Sequence, residues 1–76
     1  MVVGVTMVDV ALGEERYVYE KLLALNEVRE VYHTFGKYDF LIVIEVEGLL
    51  ALSRSVDTIR AINGVITTHT IVGAEL

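Results

Sequence analysis

The sequence predicts an α+β sandwich in which a four-stranded antiparallel sheet carries two helices on one face. Strand and helix signals follow the order β-α-β-β-α-β along 76 residues. The chain also repeats itself, because residues 25–28 (LNEV) align with residues 62–65 (INGV), and each segment joins a predicted helix to a predicted strand. Two βαβ halves with right-handed crossovers give a ferredoxin-like fold, in which the first and third strands are central.

The first half begins with a strand over Val2–Val10, where apolar residues occupy both alternating sets of positions. A helix follows and starts at Glu14 and Glu15, since the helix dipole favours carboxylates in the first turn. Apolar residues then recur at helical spacing up to Leu25, which gives this helix one apolar face, and Asn26 is expected to end it.

The centre of the chain predicts a strand from Val28, a tight turn at Gly36–Asp39, and a second strand up to Val46. Gly36 can adopt the positive φ that a short connection needs, and aspartate is frequent in turns. The second strand is β-branched and almost wholly apolar, which is typical of a position in the middle of a sheet.

The second half predicts a helix over residues 49–62 and a last strand over residues 65–72. Leu52, Val56 and Ile59 follow the spacing of an apolar helix face. Asn63 and Gly64 form a strong stop signal between the two elements.

Composition indicates self-association. The chain is 54% hydrophobic, and a domain of this length buries only about 60% of its unfolded surface. Two helices cover one face of the sheet, and the strands offer few polar residues for the other face. We therefore expect the open face to pack against a second copy with two-fold symmetry.

Several classes of function are disfavoured. The net charge of −5 and the scattered Lys and Arg residues do not provide the basic surface that nucleic-acid binding requires. The absence of cysteine excludes disulfides, thiolate catalysis and Cys-ligated zinc. No apolar run is long enough for a signal peptide or a membrane span, so a cytoplasmic protein is expected.

The two histidines do not predict a metal site. Aligning the two halves places His33 and His69 one position out of register, and one residue changes the face of a strand. Both are expected to be neutral and partly buried. No nucleophile–base pair or Gly-rich phosphate loop is present, and we predict neither a cofactor nor an enzyme activity.

Two groups of residues are candidates for binding. Asp39 can hold an ammonium group, while the Gly36 amide and nearby hydroxyls such as that of Tyr38 can hold a carboxylate; together they suit an α-amino acid. Asp39 can equally be a turn residue that bonds its own backbone. Thr67, Thr68 and Thr70 can offer hydroxyls to a ligand or can simply reflect strand propensity.

The segment Gly36-Lys37-Tyr38-Asp39-Phe40-Leu41, between a Glu-led helix and an apolar strand, resembles the effector-binding (RAM) domain of the Lrp/AsnC feast/famine transcriptional regulators. Residues 62–65 and 68–72 are similar to the final helix-turn-strand of that family, so the resemblance covers essentially the whole chain.

The resemblance implies a sensor of a small amino-acid effector. Such domains form dimers through their sheets, which assemble into an octamer or decamer with the effector between dimers. The motif carries over to Gly36, Tyr38 and Asp39, and the last strand contributes Thr68 and Thr70. Residues 1–76 are expected to be a single domain without the helix-turn-helix of full-length regulators, with which it could co-assemble.

Two other functions compete with the sensor. One is a ligand-free oligomerisation partner of full-length Lrp/AsnC regulators. The other is a small dimeric α+β-barrel enzyme, because the same fold supports several functions.

Overall fold

A computed structural model describes residues 1–74. Its elements follow the predicted order; they are β1 (Val2–Val10), α1 (Glu15–Leu23), β2 (Val28–His33), β3 (Phe40–Val46), α2 (Leu49–Arg60) and β4 (Val65–Ala74). The strands form one sheet in the order β2-β3-β1-β4, and every pair is antiparallel. The predicted ferredoxin-like fold, with β1 and β3 at the centre, is confirmed.

The core lies between the sheet and the two helices. Alternate residues of β1 and β3 point to this helix face, where they meet Val18 and Leu22 of α1 and Leu52 and Ile59 of α2. Gly4 allows the close approach of α2, since a Cβ at this position would lie 2.6 Å from Cδ1 of Leu52. The apolar periodicity of the sequence thus sets which side of each element is buried.

The repeat in the sequence corresponds to a repeat in backbone structure. Val28 N–H donates to the carbonyl of Leu25 at 3.2 Å, and Val65 N–H donates to the carbonyl of Ile62 at 3.1 Å. The two helix-to-strand turns therefore share one hydrogen-bonding pattern. They differ at Gly64, which has a φ of +102°, because Glu27 at the matching position has no positive φ.

Several predicted boundaries were wrong. α1 ends at Leu23 and α2 at Arg60, because residues 25 and 62 belong to the turns just described. β4 continues to Ala74 rather than ending at residue 72, since it pairs with β1 along its whole length. The connection between β2 and β3 is not a tight turn: it spans residues 34–39 and closes with a 2.9 Å bond from Thr34 N–H to the Asp39 carbonyl.

The other side of the sheet, here called the open face, is apolar at its centre. Its apolar residues are partly or largely exposed and lie on the three strands β1, β3 and β4: Val3, Val5, Met7, Leu41, Val43 and Ile71. Polar groups stand beside them towards β2, where Arg29 Nη2 lies 2.9 Å from Glu45 Oε1. Within residues 1–74, neither helix has the length and apolarity needed to cross a bilayer.

Candidate ligand site

Asp39 is fixed at the end of the sheet by three backbone contacts. Its N–H donates to the carbonyl of Val8 at 2.9 Å, and its carbonyl accepts the bond from Thr34. Its carboxylate oxygen Oδ2 accepts a 2.7 Å bond from Val10 N–H. The pairing of β1 with β3 ends at Val8 and Phe40, so β3 offers no backbone carbonyl to Val10 N–H. The Asp39 carboxylate accepts that hydrogen bond instead. Asp39 therefore bonds the backbone of β1, and not its own backbone as one of the two alternatives supposed.

The rest of the loop over residues 34–39 is open to solvent around Gly36. Gly36 has a φ of +109°, and a Cβ added there would meet no atom within 4 Å, so glycine is required by conformation rather than by crowding. The Thr34 hydroxyl donates to the Tyr38 carbonyl at 2.7 Å and braces the turn. The Tyr38 ring lies 6.4 Å from the His69 ring, and Lys37 Nζ lies 5.6 Å from the Tyr38 ring centre.

The threonines of β4 divide between the two faces of the sheet. Thr70 lies opposite Thr6 on the helix face, and their hydroxyls are 2.9 Å apart. Thr68 lies opposite Val8 on the same face. Thr67 lies on the open face, where its hydroxyl donates to Asp9 Oδ2 at 3.0 Å.

The five residues predicted to bind ligand are only partly brought together. Asp39 and Thr68 flank Val8 from opposite sides, which separates their backbones by two strand spacings, or about 10 Å. Tyr38 stands beside His69, whose partner Met7 belongs to the open face. Gly36, Tyr38 and Asp39 thus share one loop, while Thr68 and Thr70 face the helices.

The histidines are on opposite faces, as their register predicted. His33 pairs with Phe40 on the helix face and His69 pairs with Met7 on the open face. Both side chains are exposed, so the expectation of partial burial was wrong, because each lies on an edge strand. Residues 1–74 contain no group of three or more His, Cys, Asp or Glu side chains placed to hold a metal ion.

A cleft of about 430 Å³ opens between α1 and β2. It is lined by Glu15, Arg16, Tyr19, Val31, His33 and Phe40. Sequence reasoning missed this cleft, since it treated Tyr19 as a packing residue and Glu15 as a helix-start signal. Their i, i+4 spacing on α1 is the signal that could have placed both on one helix face.

Tyr32, on the edge strand β2, has a perturbed pKa. The pKa of Tyr32 is raised because its hydroxyl donates a hydrogen bond to the Glu30 carboxylate, whose negative charge also opposes ionisation. Both residues lie on the open face, opposite Leu41 and Val43. Their contact therefore borders the apolar centre of that face.

The chain is similar in sequence to known transcriptional regulators. It is 33% identical over 66 residues to the HTH-type transcriptional regulator FL11 of Pyrococcus furiosus, a match that covers 87% of this chain and 44% of FL11. It is 34% identical over 50 residues to the HTH-type transcriptional regulator LysM of Saccharolobus solfataricus, covering 66% of this chain and 35% of LysM. The chain thus spans less than half the length of these curated relatives.

Solved structures share the whole fold. FFRP-DM1 superposes with a TM-score of 0.93 at 35% identity, over 97% of this chain and 100% of that one. The transcriptional regulator NMB0573 of Neisseria meningitidis, solved as an L-Met complex, superposes with a TM-score of 0.86 at 18% identity, over 97% of this chain and 50% of that one.

The family model described as Lrp/AsnC ligand binding domain matches residues 2–74. This match spans every strand and both helices, including the loop that carries Gly36 and Asp39. The chain therefore belongs to the Lrp/AsnC ligand binding domain family.

Proposed function

We propose that this domain senses a small amino acid, which binds at the loop over residues 34–39 and modulates the assembly of the protein. The observation that carries the proposal is the anchoring of Asp39 by Val10 N–H at an accessible end of the sheet. A carboxylate can accept several hydrogen bonds, so Asp39 can hold an ammonium group while keeping that backbone bond. Gly36 is exposed in the same loop, and its amide is the group we assign to the ligand carboxylate.

Thr68 and Thr70 enter the proposal as groups that a neighbouring copy supplies. They lie on the helix face, whereas Tyr38 lies beside His69 of the open face. A ligand that contacts all five residues therefore sits between copies, in line with a site between dimers. Phe35, in the same loop, is 95% exposed, and a contact with another copy would remove this apolar ring from water.

Assembly in this proposal has two levels. The open face packs on a second copy to give a dimer, and dimers join through the loop to give an octamer or decamer. A ligand shifts such an assembly only when it binds one state more tightly than another. An effector held between dimers meets that condition, because it binds the assembled state alone.

The relatives support a role in transcription regulation. FL11 and LysM are transcriptional regulators by name, and NMB0573 was solved with an amino acid bound. We propose that the domain acts without enzyme activity of its own. In the second candidate function, the domain is a ligand-free oligomerisation partner of full-length regulators, and the Asp39 carboxylate serves only to accept the bond from Val10 N–H.

Thermal unfolding with each of the twenty amino acids, at constant protein concentration, tests the proposal. A ligand at 100 times its Kd stabilises by about 2.7 kcal/mol. For a domain of this size, each kcal/mol moves the midpoint by roughly 4–8 °C. We expect a shift with one amino acid or a few related ones, and a flat panel would favour the ligand-free partner.

Asp39→Asn sharpens the test, because asparagine keeps an oxygen for Val10 N–H but loses the charge that holds an ammonium group. We expect this variant to fold and assemble without responding to the effector. Asp9→Asn is the matched control, since Asp9 also accepts one hydrogen bond from a neighbouring strand. An unchanged response in Asp39→Asn would contradict the assigned role of Asp39.

A further inference from the structure

The cleft between α1 and β2 has the size and lining of a small-molecule site. Its volume of about 430 Å³ lies within the range of ligand pockets. Its walls come from one chain, with three residues on α1, two on β2 and one on β3. It lies on the helix side of edge strand β2, so it is not formed by the open face or by the β4 threonines.

Three rings form one wall of the cleft. Tyr19 stacks on Phe40 with ring centres 6.0 Å apart and planes 17° apart. The His33 ring lies 5.1 Å from the Phe40 ring, with planes 36° apart. Phe40 is only 2% exposed and forms the floor, whereas Tyr19 and His33 remain accessible. Such a wall offers a planar apolar group both stacking and edge contacts.

Opposite charges stand side by side at the start of α1. The Glu15 carboxylate is held by a 2.8 Å bond from Gly13 N–H to Oε1. The Arg16 guanidinium has no carboxylate within 4.0 Å among residues 1–74. A guanidinium binds a carboxylate with two parallel hydrogen bonds, and the remaining acceptor capacity of Glu15 suits an ammonium group.

From this combination we propose that the α1–β2 cleft is a second binding site, which takes an aromatic α-amino acid within a single chain. Arg16 binds the carboxylate, Glu15 binds the ammonium group, and the ring lies against the accessible rings of Tyr19 and His33. A simple aromatic acid fits less well, because it leaves Glu15 facing a like charge. An aliphatic amino acid fits less well, because it cannot stack. The lining of this site includes none of residues 34–39, although His33 and Phe40 adjoin that loop in the chain.

Titration of the ¹⁵N-labelled protein with L-phenylalanine, followed by two-dimensional NMR, tests this site. We expect the largest amide shifts at Tyr19, Val31 and His33, with contacts between ligand ring protons and the ring of Tyr19. Phenylacetate lacks the ammonium group and L-leucine lacks the ring, so each should bind more weakly. Equal binding of all three probes, or no shift with L-phenylalanine, would overturn the proposal.

Variants distinguish this site from the loop site. Arg16→Gln removes a charged hydrogen-bond donor and should weaken L-phenylalanine binding about tenfold. Arg60→Gln, at the exposed end of α2, is the matched control and should bind as the wild type does. Asp39→Asn should abolish the effector response and leave the cleft shifts in place. Shifts confined to residues 34–39, or lost with Asp39→Asn alone, would mean that the cleft binds nothing.

Discussion

The helix face and the open face of the sheet are built from the same central strands but have different surroundings. On the helix face, Val8, Phe40, Ile42 and Ile44 are at most 2% exposed. On the open face, Val5, Met7, Leu41 and Val43 remain partly exposed, although they are equally apolar. The two helices cover the first face and exclude water from it. The second face has the composition of a buried surface, but no element within residues 1–74 covers it, and that difference is the basis for proposing a second copy there.

Phe40→Ala should have the largest effect on stability. Removing this ring from the helix face leaves a cavity between α1 and the sheet, and such substitutions cost about 3–5 kcal/mol. The free energy of unfolding, measured with denaturant, should fall by that amount at every protein concentration. The matched change Leu41→Ala, one residue away on the open face, should cost an amount that depends on protein concentration. If both variants lost the same free energy of unfolding at every protein concentration, the open face would not be an interface between copies.

Val43→Asp should disrupt the open face without disrupting the core. A carboxylate at the centre of an interface is buried without a partner, and we expect association to weaken by about a hundredfold or more. Sedimentation velocity measures this effect. Ser53→Asp, which adds the same charge on an exposed part of α2, is the control and should assemble normally. Assembly that survives Val43→Asp would place the interface elsewhere.

Thr70→Val tests the polar pair on the helix face. Thr6 is fully buried, and its hydroxyl loses its partner when Thr70 is replaced. The expected cost is about 1–2 kcal/mol of unfolding free energy. The double change Thr6→Val with Thr70→Val should recover most of the loss, since no hydroxyl is then left unpaired. If the double variant lost as much unfolding free energy as the two single variants together, packing and not the hydrogen bond would be the main contribution of this pair.

The smallest expected effect is a loss of stability at alkaline pH, when Tyr32 ionises. The Glu30 contact raises the folded pKa of Tyr32 above its unfolded value near 10. Its contribution to stability is therefore present below pH 10 and is lost as the pH rises through the folded pKa. Glu30→Gln should lower the pKa of Tyr32, as measured by ultraviolet absorbance of the phenolate. An unchanged titration would mean that Glu30 does not contact Tyr32 in solution.

The fold was readable from the sequence because its periodicities are local and consistent. The helical spacing that includes Val18 and Leu22, and the repeated turns ending at Val28 and Val65, report contacts that the structure contains. The ends of the two helices were harder to predict from the sequence. Residues 25 and 62 pack against the core and continue the apolar helical spacing after each helix has ended.

The candidate site was only partly readable. Gly36 and Asp39 could be singled out from turn chemistry, but the bond from Val10 to Asp39 joins residues 29 positions apart and has no local signal. The same holds for the cleft, whose wall combines Tyr19, His33 and Phe40 from three elements. In our proposal Thr68 and Thr70 meet the loop of a neighbouring copy, and a geometry between copies has no local signal in the sequence of one chain.

The mass of the wild-type protein in solution, measured by light scattering during gel filtration, tests the central claim most directly. A single chain weighs 8.5 kDa. We predict an even multiple of that mass at micromolar concentration, reduced by Val43→Asp and unchanged by Ser53→Asp. A folded wild-type protein that remains at 8.5 kDa would contradict it, because the open face would then be stable in water without a partner.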